Sequence, residues 1–160
     1  MILKLHHSAF RCRDSEETRV FYEDFLGLPF VNALEIGRTA TGRAVEALHT
    51  FFEMADGSYL AFFEVPSSPF EFKAQHDFDL HIALEVDHAT LESMMAKARS
   101  EGRDVRGPTD HGFVRSIYFR DPSGYVVELA EKLKNHDEVM NPEKTNPRAV
   151  LTRWQEEKRT

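Results

Sequence analysis

The stretch from Asp110 to Glu128 reads DHGFVRSIYFRDPSGYVVE and gathers His111, Tyr118 and Glu128 around one turn, Asp121-Pro122-Ser123-Gly124. Two further imidazoles, His7 and His81, stand in matching segments, HSAFRC and HIALEV. Two histidines and a carboxylate on three strands can bind one divalent ion and leave positions open for a substrate. A single strand histidine is more often a satisfied core residue than a ligand; its recurrence at equivalent places is what changes the reading. Glu128 adds to it, because a carboxylate within Val126, Val127, Leu129 and Ala130 is costly to bury unless a cation or hydrogen bonds compensate it. The other histidines, His6, His49, His76, His88 and His136, read as surface or locally hydrogen-bonded residues.

The elements that must position these groups come from a repeat. His81 lies 74 residues after His7, and each is followed by an alanine two residues on, Ala9 and Ala83. Alternation at period two predicts strands over 5–12 and 80–86, with His81, Ala83 and Glu85 on one face and Ile82, Leu84 and Val86 on the other. A helix follows each strand. Asp14 is the expected N-cap of the first, with Glu17 three residues on, a stripe of Val20, Phe21, Phe25 and Leu26, and a stop at Gly27. Leu91, Met94, Met95 and Ala98 form the second stripe, and Gly102 ends it.

Three strands are expected at 28–36, 44–54 and 59–65, with Asp56-Gly57 turning the last pair. Their counterparts are expected near Val105, at 113–120 and at 125–131. The fold predicted is α+β: two βαβββ modules forming a curved mixed sheet around a metal-containing cavity, plus a C-terminal helix. Residues 1–132 make one domain, with modules at 1–66 and 78–132 and a linker at 67–77. The tail, 133–160, is polar and proline-punctuated before a short helix over 148–158 that packs on the body or on a partner subunit.

With 160 residues, 41% hydrophobic content and 13 phenylalanines, the chain can build a genuine core. A formal charge of −7 argues against nucleic acid, which wants a dense positive face. No apolar run is long enough to span a bilayer and no leader is evident, so a cytoplasmic protein is expected. The lone Cys12 excludes an intrachain disulfide framework and reads as a small core residue.

The segments HHSAFRCRDSEETRVFYEDFLGLPF, DGSYLAFFEVP, DLHIALEVD and IYFRDPSGYVVELAE resemble the vicinal oxygen chelate superfamily. That superfamily includes glyoxalase I, bleomycin and fosfomycin resistance proteins and extradiol dioxygenases. The resemblance covers most of residues 5–131 and implies His7, His81 and Glu128 as metal ligands, with Fe(II) favoured over Mn, Ni, Zn or Co. It also implies a small-molecule substrate and a homodimer in which His7 of one chain meets His81 and Glu128 of another, or closure within one chain.

The run from His111 through Tyr118 and Asp-Pro-Ser-Gly to Glu128 is similar to type I extradiol dioxygenases acting on catechol-like substrates. On that resemblance His111 and Tyr118 hydrogen-bond the substrate or bound oxygen. Such enzymes carry an acid–base histidine before the second ligand, where this chain has Phe62 and Glu64. Aligning Tyr59 with Tyr125 puts Phe62 opposite Glu128 and leaves three protein ligands. A shift or bulge would bring in Glu64 as a fourth, a set resembling a glyoxalase I-type lyase or isomerase. Arg115 and Arg120 are the cations that could hold an acidic substrate. The third reading is a metal-free binding protein that sequesters a drug-like molecule in a phenylalanine-lined cavity.

Overall fold

The computed structural model describes residues 1–68, 71, 76, 78 and 80–158; most of the expected linker at 67–77 lies outside the described residues. In chain order the elements are β1 (His7–Arg11), α1 (Ser15–Arg19) running on as a π-helical stretch (Val20–Phe25), β2 (Phe30–Arg38), β3 (Ala44–Glu53) and β4 (Tyr59–Glu64). The order then repeats with β5 (His81–Glu85), α2 (His88–Ser100), β6 (Arg106–Asp110), β7 (Val114–Arg120) and β8 (Val126–Lys132). Three helices close the chain, α3 (His136–Val139), α4 (Pro142–Thr145) and α5 (Pro147–Glu157). The expected βαβββ pattern is therefore present twice. Its strands form two four-stranded sheets, in the orders β1-β4-β3-β2 and β5-β8-β7-β6.

By compactness the chain divides into Met1–Ile82 with Arg120–Val127, and Ala83–Phe119 with Glu128–Thr160. In the first unit β1 pairs parallel with β4, and β3 is antiparallel to both β4 and β2. Register places Phe10 beside Phe62, and Thr50 and Phe52 beside Phe62 and Leu60. The ring of Tyr22 packs on this face, 4.7 Å from Phe62 and 5.6 Å from Phe52 between centroids, and Phe62 is fully buried. Burial of these aromatic surfaces stabilises the unit.

The first helix begins where expected, with Asp14 Oδ1 accepting from Glu17 N–H at 2.8 Å. Its apolar stripe differs from a regular 3.6-residue pattern. The wider π-helical turn buries Tyr22 with Phe21 and Phe25 and leaves Val20 exposed. Asp87 caps α2 through Thr90 N–H, and Gly27 and Gly102 adopt positive φ just past the two helices.

In the tail, α3 and α4 add short turns that were not expected. Asparagines start the later helices: Asn141 Oδ1 accepts from Glu143 N–H and Asn146 Oδ1 from Ala149 N–H. Val150, Leu151 and Trp154 of α5 are exposed, and no described helix is long and apolar enough to cross a membrane.

Candidate metal centre

In the first unit, His7, Ala9 and Arg11 register with Tyr59, Ala61 and Phe63 of β4, and Phe63 registers with His49 of β3. These side chains share the sheet face opposite Tyr22. His7 is exposed, with the rings of Phe51 and His49 at 5.8 and 6.1 Å, and its Nδ1 lies 2.8 Å from Nδ1 of His6. His81 likewise belongs to the exposed set of β5 with Ala83 and Glu85, while Ile82 is buried, as the alternation predicts.

In the second unit, Glu128 is only 7% exposed. Tyr118 donates its hydroxyl to Glu128 Oε1 at 3.4 Å, and His111 Nε2 lies 2.6 Å from the same hydroxyl. With the phenol hydrogen given to Glu128, its oxygen accepts from His111, so Nε2 carries hydrogen in this arrangement. Burial, then the neighbouring Glu128 carboxylate, raises the Tyr118 pKa above the ordinary phenol value. The hairpin thus brings His111, Tyr118 and Glu128 into one hydrogen-bonded line that runs from an exposed imidazole to a nearly sealed carboxylate.

The turn of that hairpin belongs to the first unit. Asp121 Oδ1 accepts from Ser123 and Tyr125 N–H, and Oδ2 accepts from Tyr22 OH at 3.1 Å. Ser123 Oγ accepts from Arg13 N–H, and Tyr125 OH donates to the Arg11 carbonyl. Burial raises the Asp121 carboxyl despite these donors.

Backbone pairing corrects the alignment of the two modules by one residue. Cys12 N–H donates to Phe63 O, and Val86 N–H donates to Ala130 O; 86 − 12 is 74, the repeat offset. Phe63 is therefore equivalent to Ala130, and Ala61, not Phe62, is equivalent to Glu128. Glu64 lies on the Phe62 face of β4, away from His7, and Oε2 accepts from Ser15 N–H at 2.7 Å. Arg115 pairs with Glu131 at 3.0 Å and Glu92 at 3.3 Å, and Arg120 donates to Gly124 O.

Among the described residues, no three His, Cys, Asp or Glu side chains gather into a group that could hold a metal. One residue near His7 escaped the sequence reading. His49, 8% exposed, stacks on Phe63 with centroids 3.7 Å apart and rings nearly parallel. Its alternation with Phe51 and Ala47 on β3 was the available signal, since it marks the face shared with His7.

Comparison with known proteins adds the family. A lactoylglutathione lyase of Neisseria meningitidis serogroup B is 26% identical over 149 residues, covering 86% of this chain and 96% of its own. A glyoxalase/dioxygenase from Nostoc punctiforme superposes with a TM-score of 0.62 at 24% identity, covering 82% of this chain and 92% of its own. The fosfomycin resistance protein FosX from Mesorhizobium loti gives 0.62 at 24% identity, covering 87% and 99%. These structural likenesses show the fold. The pattern of the Glyoxalase/Bleomycin resistance protein/Dioxygenase superfamily matches residues 4–129, both modules included, and the chain belongs to that superfamily.

Proposed function

We propose that this protein is a divalent-metal enzyme that grips a small substrate through two neighbouring oxygens and performs lyase or isomerase chemistry of the glyoxalase kind. His7, His81 and Glu128 are the ligands in this reading. The observation that carries it is Glu128, a carboxylate nearly sealed in an apolar strand, at the position where the first module has Ala61. Two imidazoles and one carboxylate suit a first-row ion, Fe(II), Mn, Ni, Zn or Co. In this reading the set is completed across a homodimer, His7 from one copy and His81 with Glu128 from the other. Glu64, turned to Ser15, serves as an anchor for the first helix and not as a fourth ligand.

When bound, such an ion supplies a Lewis acid to the two substrate oxygens. The chain's own residues handle the proton. Tyr118, neutral and hydrogen-bonded, presents its hydroxyl beside Glu128, and the exposed His111 hydrogen-bonds that same hydroxyl. The likeness to lactoylglutathione lyases over most of the chain supports proton transfer over oxygen insertion.

A second reading, ring cleavage of a catechol-like substrate with O₂ and Fe(II), is favoured by the His111–Tyr118–Glu128 line, which matches what the extradiol resemblance implies. One preparation decides between them. Protein loaded in turn with each metal is given the methylglyoxal–glutathione adduct while thioester absorbance is followed, and a catechol panel in an oxygen electrode. Thioester formation without oxygen uptake is expected. Oxygen uptake with Fe(II) and no thioester overturns the lyase reading in favour of the second. Silence in both assays with every metal contradicts an enzyme of either kind and leaves the ligand-binding reading.

A further inference from the structure

We propose that His49 is a substrate-contacting residue on the sheet face that carries His7, its Nε2 accepting a hydrogen bond from a hydroxyl or N–H of the bound molecule. The inference rests on the reading that His7 marks the reacting centre.

Two features of the ring support it. His49 Nδ1 lies 3.1 Å from the carbonyl oxygen of Phe62. A carbonyl only accepts, so Nδ1 carries the hydrogen and the second nitrogen, when the ring is neutral, presents a lone pair. No described residue hydrogen-bonds Nε2.

The ring is also held from two directions. Phe63 stacks on it at 3.7 Å, and Phe51 stands 4.2 Å away at an angle of 60°. A buried ring with only packing to do is better served by phenylalanine, which β3 already uses at Phe51 and Phe52 and β4 at Phe62 and Phe63. An imidazole here instead offers the Nε2 lone pair, and it does so on the face of His7, 6.1 Å from that ring. Phe51, Phe63 and Tyr59 line the same face. The ligand part lying there is therefore planar or apolar and carries one hydrogen-bond donor.

Two substitutions separate the nitrogens. His49→Asn keeps an N–H toward Phe62 and removes Nε2; His49→Phe keeps the stacking and removes both. Each variant is checked for a native thermal transition, loaded with Co(II), assayed for metal content, and titrated with two vicinal-oxygen chelators through the visible Co(II) bands. One is 4-nitrocatechol, which retains an O–H donor as its monoanion; the other is tropolone, which has no donor once it chelates. The expected result is unchanged metal content, 4-nitrocatechol binding weakened about tenfold in both variants, and tropolone binding within about twofold of the parent. Equal weakening of both probes, or weakening of neither, overturns the inference and leaves the metal reading standing. Loss of Co(II) from a folded His49 variant also overturns it, since the residue then serves the metal. If His7→Ala keeps both metal and probe affinity, the underlying reading fails and takes the inference with it.

Discussion

The phenol of Tyr118 stands between an exposed imidazole and a buried carboxylate, and its position tells apart a structural hydrogen bond from a working one. Replacing it with phenylalanine keeps the strand packed and leaves Glu128 in place. Tyr118→Phe should retain bound metal and lose turnover about 10- to 100-fold, measured as kcat with metal content on the same sample. The raised pKa fixes the sign of its pH dependence. A neutral donor persists until the pH passes above the ordinary phenol range, so the alkaline limb attributable to Tyr118 lies beyond that range and is absent from the phenylalanine variant. His111, Tyr118 and Glu128 were legible because one hairpin holds all three within a short span. His49 was not, because alternation groups it with Phe51 and Ala47 on one strand face but does not say whether that face meets solvent or a stacked ring. Only the register with Phe63 distinguishes the two.

At the level of elements, the β7–β8 turn does more than reverse the chain. Asp121 organises it through Ser123 and Tyr125 N–H and takes the Tyr22 hydroxyl from the first helix. Tyr22→Phe strands that carboxylate oxygen and should cost about 1–2 kcal/mol in urea unfolding with the m-value unchanged. Burial raises the Asp121 carboxyl above its unfolded value. Its contribution is therefore fully present below the ordinary carboxylate range and is lost as pH rises through the raised folded value. Asp121→Asn should flatten that part of the stability–pH curve, read from thermal melts across the acid range. The strands and both main helices were legible from alternation, caps and glycine stops. The module alignment was not: anchoring Tyr59 on Tyr125 slips the pairing by one residue, and in a strand that slip reverses every side chain. The backbone bonds of Cys12 and Val86 restore Ala61 opposite Glu128. The turns of α3 and α4 were hidden by the same proline and asparagine residues that punctuate the tail and cap its helices.

For the whole molecule, the duplicated βαβββ pattern was visible in the sequence because both copies kept a histidine with an alanine two residues on. How the copies combine into a site was not, because convergence of side chains distant in sequence depends on assembly, which periodicity does not encode. The proposed dimer predicts complementation. His7→Ala chains mixed and refolded with Glu128→Gln chains should recover metal binding, since one centre of each hybrid then has all three ligands; a site closed within one chain recovers none. The most direct test of the central claim is metal analysis of the parent and of His7→Ala, His81→Ala and Glu128→Gln, each reconstituted and desalted in parallel. The prediction is about one ion per chain in the parent and a fall of about tenfold or more in every folded variant. Near-full metal content in any of the three would contradict the assignment of that residue as a ligand, and a parent that binds none would contradict the metal centre itself.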